Sequence, residues 1–135
     1  MTNQHYSFYI GKLKDGKEYG NFDWKCIESA LNYLDNKKSD KPFLLYCTLT
    51  FPHPPYACED PWFSSIDRSL LPQRRPNINT LKNRASMLYG IESKQGLRTW
   101  SEERFTELRA TYLAMVSRFD YQFGMICDKL KEKNF

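Results

Sequence analysis

No stretch of this chain approaches the roughly 18 consecutive apolar residues of a membrane span, and Met1 to Tyr6 has neither the basic nor the apolar region of a signal peptide. The chain as given reads as soluble, with no membrane partner and no assigned location. Concentrated charge of one sign is also missing, since 20 Lys and Arg against 16 Asp and Glu leave a net charge of only +4. The densest basic run, Lys129, Lys131 and Lys133, is broken by Glu132, the pattern of a solvated helix end and not of a nucleic-acid footprint. The four cysteines, Cys26, Cys47, Cys58 and Cys127, show no C-x-x-C spacing and no neighbouring histidines, so no zinc site is expected. They read as small buried hydrophobes kept reduced, which favours an intracellular over a disulfide-stapled setting.

Apolar and aromatic residues are plentiful. With 135 residues, 41% of them hydrophobic, the chain is long enough for one domain with a core. An aromatic share of 16% implies broad packing surfaces, or a sugar-like or aromatic ligand. The organising stretch is Phe43 to Tyr56. Its first eight residues, Phe43 to Thr50, form a nearly unbroken apolar, β-prone run that predicts a strand buried on both faces. Prolines at 52, 54 and 55 then end strand pairing and stiffen the loop, which pins His53 at the carboxyl end of that strand. Ligands of open α/β sheets bind at such ends, although a lone histidine there also suits a plain loop residue bonded to backbone.

Around this stretch, residues 6–10 predict a short strand, and Asp15-Gly16 a tight turn folding Lys17 to Tyr19 back against it. Asp23 is placed to cap a helix whose apolar stripe is Trp24, Ile27, Ala30, Leu31 and Leu34, running to about Asn36. From 57 to 98 the pattern is loop-rich, with a helical turn started by Pro61 and a second short helix carrying Leu81, Ala85, Leu88 and Ile91. Arg74 and Arg75, between prolines, read first as plain surface. Thr99 with Glu102 predicts a capping box opening a long helix to about Lys131, its stripe formed by Phe105, Leu108, Tyr112, Met115, Phe119, Phe123, Ile126 and Leu130. Gly124 inside that helix predicts a close neighbour. A two-face-buried strand needs partners on both edges, so the inventory points to an excerpt of a larger α/β protein or to a truncated reading frame.

Two motifs, Lys41 to Tyr46 followed by Phe51 to Tyr56 (FPHPPY), and Tyr112 to Gly124 (YLAMVSRFDYQFG), make the chain resemble the middle of a sulfatase, within the alkaline-phosphatase-like superfamily. The resemblance implies a partial fold of that type, a buried strand, a preceding amphipathic helix, a loop-rich insert and a long C-terminal helix, with residues 1–135 as one central segment. It implies a hydrolase of sulfate esters working with calcium and a formylglycine nucleophile. His53 matches the family histidine that contacts the sulfate and donates a proton to the leaving-group oxygen, which suits an imidazole because it exchanges protons near neutral pH. Arg118 and Asp120 match positions of the family's long helix, with a structural job tying it to neighbouring loops. Tyr56, Trp62 and Arg74 are candidate substrate contacts, for a sugar ring or a second anion.

The departures are equally informative. None of the four cysteines stands in the family's Cys/Ser-x-Pro-x-Arg context, and the paired aspartates and the Asp-His-Gly segment that hold metal are missing, so no metal ligand is assigned and the segment alone is expected to be inactive. The expected partner of the complete enzyme is a sulfated small molecule or carbohydrate. Two other readings fit the same residues: a phosphate or phosphonate ester hydrolase of the same superfamily, and a non-catalytic module that self-associates through exposed sheet edges.

Overall fold

The computed structural model describes residues 8–14, 21–39, 41–74 and 85–135. Two short strands, Tyr9–Lys12 (β1) and Tyr56–Cys58 (β2), pair in parallel as the sheet of the described residues. Parallel pairing demands a crossover, and the helix Asn21–Asn36 (α1) with the extended run after it supplies one. The predicted strand at 6–10 therefore lies further along the chain. Gly11, at φ 87°, takes up the irregularity between the Tyr9 and Gly11 pairings, so the ladder continues through it to Lys12. The predicted turn at Asp15-Gly16 and its return strand fall outside the described residues.

The remaining elements are a helical turn at Trp62–Ser65 (α2), a helix at Ser86–Lys94 (α3) and one long helix at Glu102–Glu132 (α4), with single 3-10 turns at Arg68–Leu70 and Leu97–Thr99. The architecture is mixed α/β and mostly helical. The α1 stripe behaves as its spacing predicts: Ile27, Ala30 and Leu34 are buried. The cap does not. Helix α1 starts two residues before Asp23, whose carboxylate is turned inward and buried instead of closing the helix end.

Helix α4 packs along α1, α2 and both strands. Its cap is Ser101, which accepts the Arg104 N–H at 3.3 Å, while the Thr99 hydroxyl is used within its own turn by the Gly96 carbonyl. The buried face of α4 is Ala110, Thr111, Ala114, Met115, Arg118 and Gln122. Phe119 and Phe123, expected in the stripe, are 37% and 56% exposed. The small residues let the strands and α2 approach closely, and this turns the aromatic ridge outward. Gly124 faces open space, contrary to the expected close neighbour, and nothing in the structure explains a glycine there. In α3 the buried residue is Glu92, paired with Arg98 at 3.2 Å, and not the predicted apolar positions; Leu81 lies outside the described residues.

At the far end, Asp35 on α1 meets Lys133 at 3.0 Å and Lys129 at 3.2 Å, joining the carboxyl ends of α1 and α4. Hydrogen bonds from Lys133 and then Lys129 hold the Asp35 carboxyl below its usual value. A depressed native value means that this contribution is complete above the unfolded value of 3.8 and is lost as pH falls through the native one. Asp35→Asn is expected to lower the melting temperature slightly at neutral pH, the pair being exposed. The difference from the parent should vanish in acid, as thermal melts across pH would record.

Candidate functional site

Residues 43–50 are extended but are not a hydrogen-bonded strand. Phe43, Leu45, Cys47 and Leu49 turn inward and are half-buried, whereas Leu44 and Tyr46 are 94% and 85% exposed. The expected strand buried on both faces is thus corrected to a run covered on one face only. An apolar β-prone sequence favours extended backbone, but a ladder needs a neighbour, and none flanks this run among the described residues. The inward face lies on α1, where Phe43 meets the Tyr33 ring edge-on at 5.8 Å.

The run ends at a buried anchor. Asp23 Oδ1 accepts the Thr50 N–H at 2.7 Å and Oδ2 accepts the Phe51 N–H at 3.1 Å. Two backbone donors that a sheet would otherwise satisfy are met by one carboxylate. That carboxylate lies 3.8 Å from Arg118 Nη1, and Arg118 Nε makes a 2.9 Å ion pair with Glu59 Oε1, just past β2. The Arg118 and Asp23 side chains are fully buried and Glu59 nearly so. The guanidinium also covers the Phe51 ring at 4.2 Å and faces Trp24 at 5.1 Å. Burial lowers the Arg118 pKa, opposed by Glu59 and then Asp23. A cation this deep persists only because two carboxylates and two aromatic faces surround it.

His53 stands two residues beyond the anchor and is exposed. Its N–H donates to the Thr50 carbonyl at 2.8 Å, and its Nδ1 meets the Pro54 carbonyl. A carbonyl only accepts, so Nδ1 carries the proton in this contact. Nε2 is left without a hydrogen-bond partner among the described residues. The outcome is an outward-facing imidazole on a short loop whose base is held from both sides.

The other candidates occupy separate contacts. Tyr56 opens β2, meets the Phe8 ring at 5.0 Å and the Tyr112 ring at 6.0 Å, and burial raises its phenol pKa. It lines a groove of about 550 Å³ together with Pro72, Leu108 and Arg109. Trp62 is packed between Trp24 at 5.8 Å and Tyr121 at 5.7 Å. Both arms of Arg74 are held by Glu102, and its guanidinium stacks on Phe105 at 4.2 Å. No described contact joins any of the three to His53. Arg118 ties helix to loop as the sequence suggests, whereas Asp120 is exposed with no described partner.

All four cysteines are free thiols. Burial, with Glu59 beside it, pushes the Cys58 pKa up to about 12, so this thiol is protonated and a poor nucleophile. Among the described residues no group of three or more His, Cys, Asp or Glu side chains is arranged to hold a metal. Asp23 and Glu59 are committed to backbone donors and to Arg118, so this donor set does not fit calcium, and no step is drawn through it.

The described fold, a long helix packed on a crossover whose loop presents a histidine, sits in a chain that matches the model of the Sulfatase family over residues 1–134. The chain belongs to the sulfatase family. No curated protein and no solved structure matches it. Within this sulfatase-family chain, the sequence singles out His53 as a candidate, but it does not show that Asp23 and Glu59 meet Arg118 beside the His53 loop. One signal was available: Arg118 lies on the face set by Thr111, Met115 and Gln122, and a guanidinium in a packed stripe requires buried acids opposite it. No helix of the described residues is long and apolar enough to cross a membrane.

Proposed function

We propose that this chain supplies a sulfuric-ester hydrolase with the histidine loop of its active site, His53 contacting the sulfate ester and donating a proton to the leaving-group oxygen. The observation that carries the proposal is the exposed imidazole on a braced Pro-rich loop in a chain of this family. With Nδ1–H directed at the Pro54 carbonyl, a second proton on Nε2 points away from the loop, toward an approaching ester oxygen.

In this reading residues 1–135 are the central part of one catalytic domain. The formylglycine nucleophile and a calcium site belong to other parts of the complete enzyme. The nearly bare Leu44 and Tyr46 side chains support it, because apolar surface on an extended run is ordinarily covered by neighbouring sheet or helix. The substrate is a sulfated small molecule or carbohydrate. Tyr56 is the best placed of the further contacts, three residues beyond His53 and half-buried on an aromatic groove, whereas an anion at Arg74 has to compete with Glu102.

Turnover of an aryl sulfate with calcium present tests this. None is expected from the 135-residue chain, and measurable turnover from a longer form carrying a Cys or Ser in the formylglycine context. Hydrolysis by the short chain would refute the partial reading, and a longer form that cleaves only phosphate esters would refute the sulfatase reading.

A further inference from the structure

The largest fully buried side chain among the described residues is not at the candidate site but beneath it. Arg118, with none of its side chain exposed, meets Phe51 before His53 and Glu59 after it. Ahead of the histidine it lies against Asp23, which binds the Thr50 and Phe51 amides, and it covers the Phe51 ring. After it, past β2, it pairs with Glu59, whose Oε1 also accepts from Trp24 Nε1 at 3.4 Å. Thr50 and Phe51 on one side of the loop, by way of Asp23 on α1, and Glu59 on the other are thus gathered around a single cation.

A solvated tether would leave the loop free to drift, whereas a buried guanidinium within ion-pair reach of both carboxylates, 3.8 Å from Asp23 and 2.9 Å from Glu59, restrains how far apart they can move. The backbone at Phe51, two residues from the imidazole, follows Asp23, and Asp23 follows Arg118. We infer that Asp23, Arg118 and Glu59 are positioning residues for His53, setting where Nε2 stands relative to the leaving-group oxygen. This rests on the reading that His53 acts on the ester. None of the three touches substrate; they act through the loop.

The test is a double-substitution cycle on kcat in the complete enzyme, using sulfate esters with good and poor leaving groups. Asp23→Asn keeps the side-chain shape and one acceptor oxygen, but turns an amide N–H toward one of the two backbone donors. It is expected to lower kcat for a poor leaving group by roughly tenfold to a hundredfold, the scale of an ångström misplacement. The loss should be much smaller for a nitrophenyl sulfate, whose oxygen needs little protonation. In a background carrying His53→Ala, Asp23→Asn should add almost nothing. Fast hydrogen exchange at the Thr50 and Phe51 amides should accompany it.

Equal loss for good and poor leaving groups, or additivity with His53→Ala, would overturn the positioning role while leaving His53 itself in place. If His53→Ala alone has no effect, the functional reading falls and this inference with it. Should Asp23→Asn fail to fold, Glu59→Gln, which leaves both amide bonds to Asp23 intact, carries the same cycle, and additivity there overturns the inference equally.

Discussion

Arg118→Met is expected to lower the free energy of unfolding by about 3–5 kcal/mol, the usual cost of removing one partner from a buried charge pair. Methionine replaces much of the aliphatic stem, so the loss is not chiefly one of packing. It arises because Asp23 and Glu59, both almost inaccessible to water, are left as two carboxylates with no cation between them. The protein then either holds unpaired buried charge or protonates it, and both are costly near neutral pH. Arg118→Lys should fall between, since an ammonium restores the charge without the planar fork or the stacking on Phe51. Denaturant unfolding of a polypeptide in which the chain folds measures both. A cost under about 1 kcal/mol would place the network in the range of exposed pairs and contradict its burial.

The largest effect on activity is expected at His53. In the complete enzyme, His53→Ala should lower kcat roughly a hundredfold or more, the range for loss of a positioned proton donor. Stability should hardly change, because the side chain is exposed and its one described bond is to the neighbouring Pro54 carbonyl. The contrast with Arg118→Met is therefore informative. One substitution is expected to remove stability through a fully buried residue, and the other to remove rate through an exposed one. A His53→Ala enzyme with unchanged turnover and an unchanged melt would reduce the imidazole to a loop ornament and leave the sulfatase reading without a residue from this chain.

Local pattern made some elements legible and others not. The apolar face of α1 follows from spacing alone, since Ile27, Ala30 and Leu34 recur at helical intervals and no distant residue is needed to say that they face inward. The stiff loop at Pro52 to Pro55 follows from proline's fixed geometry. The three-residue strand β2 does not, because Tyr56–Cys58 is too short to show a period and exists by virtue of β1, far away in sequence. Asp23 was misread for a related reason. An aspartate near a helix start is ordinarily a cap, and only the arrival of Thr50 and Phe51 overhead turns its oxygens to another use.

The sequence by itself determined the family, through motifs read as strings, along with the helices whose periods repeat within one segment, and it named His53 as the candidate. It also determined that no cysteine stands in the family's nucleophile context. Tertiary structure alone decided which face of α4 is buried, that the apolar run at 43–50 is covered on one side only, and that Asp23, Arg118 and Glu59 converge under the His53 loop. The reason is physical: periodicity and chain stiffness act between near neighbours, whereas a buried charge can be placed only by partners that folding brings from distant segments.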